Sequence, residues 1–254
     1  MARAAQGTTV NKFRTMEDDL ADSGSDSGSD ALAPCVFLIK VARQMMKNNN
    51  YLIVDPATHQ SVLVDPAWQI DAIHTALANT QSTLRGILLT HAHPDHIDLA
   101  RPLADFYNCP IWMSRQEIAA SGFSARQLIA IDETPWRVGE MRIEPILTPG
   151  HTPGCVCYLI GDHLFTGDVL FAEGCGICNG TDAAHAMFDS LQRLKFRLRP
   201  ETRIYPGHTY ARPPGQRFAD VLSYNMYLHF ADKHSFAAFR LRKGQSARKL
   251  LDFV

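Results

Sequence analysis

From Thr90 to His96 the chain reads Thr-His-Ala-His-Pro-Asp-His, three histidines and an aspartate within six residues, directly after the apolar residues 86–89. Imidazole and carboxylate groups suit zinc and related divalent metals. A loop leaving the end of a strand can aim alternate side chains at two neighbouring ions. Packing accounts for one such histidine, but not for the whole string. Four ligands do not complete two metal sites, and further candidates stand downstream, each in a tight turn. His151 lies within Pro149-Gly150-His151-Thr152-Pro153-Gly154, Asp168 follows Thr166-Gly167, and His208 follows Tyr205-Pro206-Gly207. Asp168 offers a carboxylate able to bridge two cations. Gly-Asp and Gly-His are common loop pairs, so each is weak alone, and it is their joint presence behind the first motif that makes the set strong.

These residues need elements to hold them. Residues 51–54 and 61–64 are short β-branched runs separated by the turn-prone Asp55-Pro56-Ala57-Thr58, which predicts a hairpin. Ile70, Ile73, Ala76 and Leu77 fall at helical spacing. Residues 86–90 read as a buried strand, 99–106 as a helix and 111–113 as a strand. In the second half 141–147, 156–160 and 163–166 read as strands. Phe188, Leu191 and Leu194 share one face of a following helix, and 204–206 is again strand-like. Strands alternating with helices, together with hairpins, indicate a mixed α/β architecture.

The 254 residues suffice for one large domain with a sizeable core. A formal net charge of -1 gives no global field that would favour nucleic acid or an anionic membrane. No apolar run reaches the ~18 residues of a membrane span, and no signal peptide is legible. Cys35, Cys109, Cys155, Cys157, Cys175 and Cys178 are too sparse for a disulfide framework, so reduced thiols in a cytoplasmic protein are the expectation. Cys175-x-x-Cys178 lacks a partner pair at zinc-site spacing and a thioredoxin-like context, and small buried residues in a Gly-rich turn are the simpler reading. Residues 23–30 are a Ser/Gly/Asp run, with Glu17, Asp18 and Asp19 before them, so residues 1–33 read as a disordered acidic tail.

The order of the His/Asp motifs resembles the metallo-β-lactamase superfamily, and more narrowly its glyoxalase II-like branch, over about residues 50–210. The resemblance implies an α/β fold, an αββα sandwich with the metals at one edge. The hydrolase domain then spans 34–215, and a short helical, basic extension over 216–254 packs on it. His91, His93 and His151 would hold one ion, Asp95, His96 and His208 a second, and Asp168 would bridge them. Asp95 and Asp168 are the catalytic carboxylates of this assignment. The cofactors are two divalent ions, zinc first, with iron or manganese as alternatives. Two such ions ~3.5–4 Å apart lower a bridging water's pKa to about 7 and so supply hydroxide to attack an acyl carbonyl. No Gly-x-Ser-x-Gly string offers a serine nucleophile.

Glu173-Gly174-Cys175-Gly176-Ile177-Cys178 narrows the resemblance to stand-alone hydrolases of bacterial polyketide synthase clusters, as does the segment Phe239-Arg240-Leu241-Arg242-Lys243-Gly244. Ile177 stands where glyoxalase II-like enzymes usually have a basic residue. The substrate expected is therefore an acyl thioester on a small molecule or a carrier protein, with glutathione the less favoured thiol. Cys175, Ile177, Arg240, Arg242 and Lys243 are the candidate substrate contacts, the last three as a basic cradle for an anionic carrier. Lactone hydrolysis, a mononuclear-iron persulfide dioxygenase and a non-catalytic carrier-binding protein are the competing readings.

Overall fold

The computed structural model describes residues 10–12 and 32–242. Thirteen strands form two sheets among these residues. In the first sheet spatial order follows chain order: β1 (Val10–Lys12), β2 (Cys35–Arg43), β3 (Met46–Val54), β4 (Gln60–Val64), β5 (Thr83–Leu88), β6 (Ile111–Ser114) and β7 (Leu128–Ile131). The second holds β8 (Trp136–Val138), β9 (Met141–Leu147), β10 (Val156–Ile160), β11 (His163–Gly167), β12 (Arg203–Pro206) and β13 (Gln216–Arg217), stacked in reverse numerical order. The hairpins β2–β3, β3–β4, β8–β9, β9–β10 and β10–β11 are antiparallel, while β4 to β7 and the β11–β12 pair are parallel. Each parallel step needs a crossover, and helices supply them. These are α1 (Ile70–Thr80), the short α2 (Pro94–Ile97) with α3 (Ala100–Tyr107), α4 (Arg115–Ser121) and, in the second sheet, α5 (Thr181–Arg197). The helices α6 (Phe218–Tyr224) and α7 (Lys233–Arg240) follow β13.

Side-chain alternation along the strands sorts the core into three layers. On β2 and β3, Val36, Leu38, Tyr51 and Ile53 face the other sheet, where Val156, Tyr158, Ile160 and Phe165 meet them. Ile39, Val41, Leu52 and Val54 point the opposite way, into a second layer with Ile73 and Leu77 of α1 and Leu103 of α3. On the far side of the second sheet Cys157, Leu164 and Ile204 pack with Met187, Leu191 and Leu194 of α5, Val221 of α6 and Phe236 of α7. Helices, two sheets and helices therefore stack as an αββα sandwich, as the resemblance implied.

The main differences from expectation lie at the N-terminal side. β3 begins at Met46 rather than at 51, and β2 had no counterpart in the sequence reading. Three residues of the segment read as a disordered tail, Val10–Lys12, pair antiparallel with residues 37–39 of β2. The remainder of residues 1–31, and Lys243 with the rest of the C-terminal stretch, lie outside the described residues. No helix among the described residues is long and apolar enough to cross a membrane.

Candidate metal centre

The segments that carry His91 to His96, His151, Asp168 and His208 follow β5, β9, β11 and β12, so they emerge at the carboxyl ends of strands from both sheets. Hydrogen bonds stitch the sheets together at this edge. Val156 N donates to Thr90 O at 3.0 Å and Asn49 N to Gly207 O at 2.8 Å, while within the second sheet Gly207 N donates to Gly167 O at 2.8 Å. The Tyr51 hydroxyl donates to Pro206 O at 2.6 Å. Close approach dictates one residue type: a Cβ on Gly207 would stand 2.5 Å from His96 Cε1 and 2.7 Å from Asp168 Oδ1. Gly167, at φ +48°, takes the left-handed turn that delivers Asp168, and a Cβ there would meet Thr90 Oγ1 at 2.2 Å.

Two donor groups result. His93 Nδ1 lies 3.0 Å from both His91 Nε2 and His151 Nε2. Nitrogens bound tetrahedrally to one zinc are about 3.3 Å apart, so this trio has the spacing of three ligands on one ion. In the second group Asp95 Oδ2 is 3.6 Å from His96 Nε2 and 3.5 Å from His208 Nε2. Asp168 spans the two: its Oδ2 is 3.6 Å from His151 Nε2 and 3.3 Å from His208 Nε2, and its Oδ1 is 3.5 Å from His96 Nε2. His96 Nε2 and Asp168 Oδ1 are buried with no hydrogen-bond partner. Orphaned ionisable atoms are costly in an interior unless a cation completes them, so the donor set fits two divalent ions.

The opposite ring nitrogens orient four of the five histidines. His91 Nδ1 meets Thr90 Oγ1 at 3.0 Å, His96 Nδ1 meets Asp65 Oδ2 at 3.0 Å, His151 Nδ1 donates to Ile177 O at 2.8 Å and His208 Nδ1 to Lys47 O at 3.0 Å. Such bonds leave the other nitrogen free to ligate. Asp65, His91 and His96 also lie close together, but Asp65 is engaged by Thr90 N (2.8 Å), Thr90 Oγ1 (2.6 Å) and His96, which makes it a support for the ligands.

Electrostatics follow from burial and proximity. Burial, with the neighbouring His96, holds His91 well below the usual histidine range, and burial with His151 lowers His93, so both stay neutral and ready to ligate. For Asp168 burial works upward, but the His208 and His96 charges outweigh it and keep the carboxyl well below the usual carboxylate range. Burial likewise opposes the rise of His208, which the Asp168 charge and hydrogen bond carry to about 9.

All seven expected ligands thus share one site. The substrate-side candidates do not. Ile177 is 48% exposed beside His151, whereas Cys175 is buried in the layer beneath α5. Arg240 is 5% exposed and its Nε donates to Gly176 O at 2.8 Å. The expectation of an exposed basic cradle therefore fails for Arg240, while Cys175, offered as a substrate contact, is instead one of the small buried residues of a Gly-rich turn. On α7 the residues Phe236, Ala237 and Arg240 fall on one helical face, and that face is the buried one. Arg242 is exposed, with its guanidinium 3.6 Å over the Phe239 ring, and Lys243 lies outside the described residues. Cys178 is buried too, and burial pushes its thiol up to about 11.

Several residues of the site were missed in sequence. Asp65 follows a β-branched strand as Asp168 does, and the same logic could have found it. Asn48, Asn49 and Asn50 are consecutive buried amides in a strand, an unusual placement for asparagine. Asn50 Nδ2 donates to Asp65 O at 2.6 Å and Asn49 Nδ2 to Pro206 O at 3.0 Å. Glu117 carried only the Ser-x-x-Glu spacing of a helix start, with nothing to tie it to the donor groups. Tyr210 packs its ring edge-on to Phe171 at 5.1 Å, and Phe171 lies 6.3 Å from the His208 ring.

Comparison with known proteins agrees with this geometry. The chain is 44% identical over 212 residues to a probable polyketide biosynthesis zinc-dependent hydrolase, BaeB, of Bacillus velezensis, covering 83% of this chain and 94% of that one. It is 39% identical to the corresponding PksB of Bacillus subtilis, covering 86% and 97%. A hydroxyacylglutathione hydrolase of Bdellovibrio bacteriovorus is 34% identical over 65% of this chain and 64% of its own. Among solved structures, ETHE1 from Myxococcus xanthus superposes with a TM-score of 0.72 at 30% identity, covering 85% of this chain and 94% of that chain. Residues 46–208, which contain every ligand of the two donor groups, match the family model of the metallo-beta-lactamase superfamily, and the chain belongs to that superfamily.

Proposed function

We propose that this metal-dependent hydrolase cleaves acyl thioesters carried on a pantetheine arm, in polyketide biosynthesis, with two zinc ions as cofactors. The observation that carries the hydrolytic reading is the convergence of seven donors on two adjacent positions with Asp168 between them. The polyketide setting draws on the 44% and 39% identities to BaeB and PksB, both named as zinc-dependent hydrolases of that biosynthesis.

When bound, two divalent ions supply Lewis acidity at the carbonyl and hydroxide at neutral pH. The chain's own residues set the geometry. Asp168, ionised and wedged between the two donor groups, holds one negative charge against both positions and orients whatever lies between them. His91 and His93, kept neutral by burial, present lone pairs rather than protons. Departure of the thiol needs no general acid, because a thiolate of ordinary pKa ~8.5 is a stable leaving group. Cys175 and Cys178 do not compete as covalent nucleophiles, because both are buried and burial raises both thiols above the range in which thiolate forms at neutral pH. Tyr210, backed by the buried Phe171, and the exposed Ile177 provide apolar surface next to His208 and His151, suited to an acyl chain or the thioester stem. A mononuclear-iron oxygenase would leave the complete group of Asp95, His96 and His208 without a task.

The test couples elemental analysis to steady-state kinetics on lactoylglutathione, acyl-coenzyme A and acyl-carrier-protein thioesters, comparing pairs that share one acyl group. The expected result is close to two ions per chain and a higher kcat/KM for pantetheine thioesters. No more than one firmly bound ion after zinc loading overturns the dinuclear centre. Equal or better turnover of the glutathione partner overturns the substrate assignment.

A further inference from the structure

The two donor groups are fastened to the protein by different side chains. Around His91, His93 and His151 the fastener is Glu117, which is 2% exposed. Ser114 caps α4 by accepting from Glu117 N at 3.0 Å, the start of a Ser-x-x-Glu capping box. The glutamate does not close that box. Its Oε1 accepts from Ala92 N at 2.9 Å, between His91 and His93, and its Oε2 from Thr152 Oγ1 at 2.6 Å and Gly154 N at 3.0 Å, just beyond His151. One buried carboxylate therefore joins both loops that carry the three-histidine group. Its three bonds are all accepted from backbone or hydroxyl donors, so an amide in its place would set an N–H against an N–H.

Around Asp95, His96 and His208 the fastener is Asn48 of β3, also 2% exposed. Its Nδ2 donates to Asp95 O at 2.7 Å and to Asp95 Oδ2 at 3.1 Å. Oδ2 is the oxygen that faces His96 Nε2 and His208 Nε2. Asn48 Oδ1 is buried without a hydrogen-bond partner. A strand residue that leaves its own acceptor unsatisfied is present for what its amide donates.

We propose, building on the dinuclear reading, that Glu117 and Asn48 are positioning residues for separate metal positions. Glu117 sets affinity at the three-histidine position and Asn48 at the Asp95–His96–His208 position, so each can be weakened without the other. Outer supports of metal ligands are worth roughly ten- to hundredfold in metal affinity. The experiment is zinc titration of the full chain against a competing chelator, with imidazole nitrogen NMR shifts reporting which histidines are bound. Glu117→Gln, of unchanged shape, should weaken binding roughly ten- to hundredfold at His91, His93 and His151 and leave His96 and His208 near wild type. Asn48→Leu, or Asn48→Ala where the larger residue lowers the melting temperature, should do the reverse. Variants that bind as the wild type does, or that lose both positions equally, overturn the assignment. A wild-type chain that binds a single ion overturns the dinuclear reading, and the two-anchor assignment with it.

Discussion

At the metal centre, side chains from four loops spread over more than a hundred residues of sequence meet at 3.0–3.6 Å. In the C-terminal basic segment the opposite happens: Arg240 and Arg242, two residues apart, part company. Arg240 is sealed under the Gly-Cys-Gly turn, while Arg242 lies in solvent against Phe239. Both regions stood out in sequence as clusters of polar residues with a shared purpose. The lesson is that ligand chemistry survives distance along the chain, because every donor would be judged against the same pair of ions. A charge cluster at a helix end is divided by local geometry, because Arg240 falls on the buried face of α7 while Arg242 lies past the end of that helix in solvent.

Asp168→Asn is the sharpest test at the centre. An amide removes the negative charge shared by both positions and the second equivalent oxygen. Loss of ~3–4 kcal/mol of transition-state stabilisation lowers kcat/KM about a hundred- to thousandfold, read by steady-state kinetics with metal content measured in parallel. A variant within tenfold of wild type that retains both ions contradicts the bridging role.

Asp65→Asn acts one layer further out and so has a smaller effect. The backbone at 65 has φ +48°, which asparagine tolerates, so the fold is expected to persist. The amide accepts poorly from Thr90 and His96 at once, and affinity at the His96 position should fall roughly tenfold or more. Chelator competition measures it. Unchanged affinity would show that His96 is oriented by packing alone.

In the C-terminal segment the same kind of substitution should touch stability and not chemistry. Arg240→Met removes the donor to Gly176 O from a buried place, a loss of ~1–3 kcal/mol. For a chain of this size each kcal/mol lowers Tm by about 2–4 °C, measurable by thermal denaturation. Thermal stability equal to wild type would return Arg240 to the surface cradle. Arg242→Ala should be milder still. Tm stays within about 1 °C, and KM for a carrier-protein thioester rises by at most about fivefold at low salt, the ceiling for an exposed charge pair. Added salt should erase the difference, since such pairs are screened within ~8–10 Å. A kcat effect, or a KM effect indifferent to salt, would separate Arg242 from carrier binding.

The sequence by itself singled out the seven candidate ligands, the strands that precede them, and the α/β class. His91 to His96 are local in the chain, and His151, Asp168 and His208 each follow a strand in a Pro/Gly turn, so residue type and turn chemistry suffice to single them out. Tertiary structure alone decided which nitrogen or oxygen of each ligand faces the others, because that depends on partners far away in sequence: Asp65 on His96, Lys47 on His208, Ile177 on His151. It also decided that β3 starts at Met46, so that Asn48, Asn49 and Asn50 are buried in a strand against intrinsic preference. Their amides hydrogen-bond segments fifteen or more residues away in sequence. Burial of Arg240 belongs to the same class. Whether a polar group faces water or a carbonyl is settled by what packs over it, and here residues of α5, α6 and α7, far apart in sequence, pack together against the second sheet.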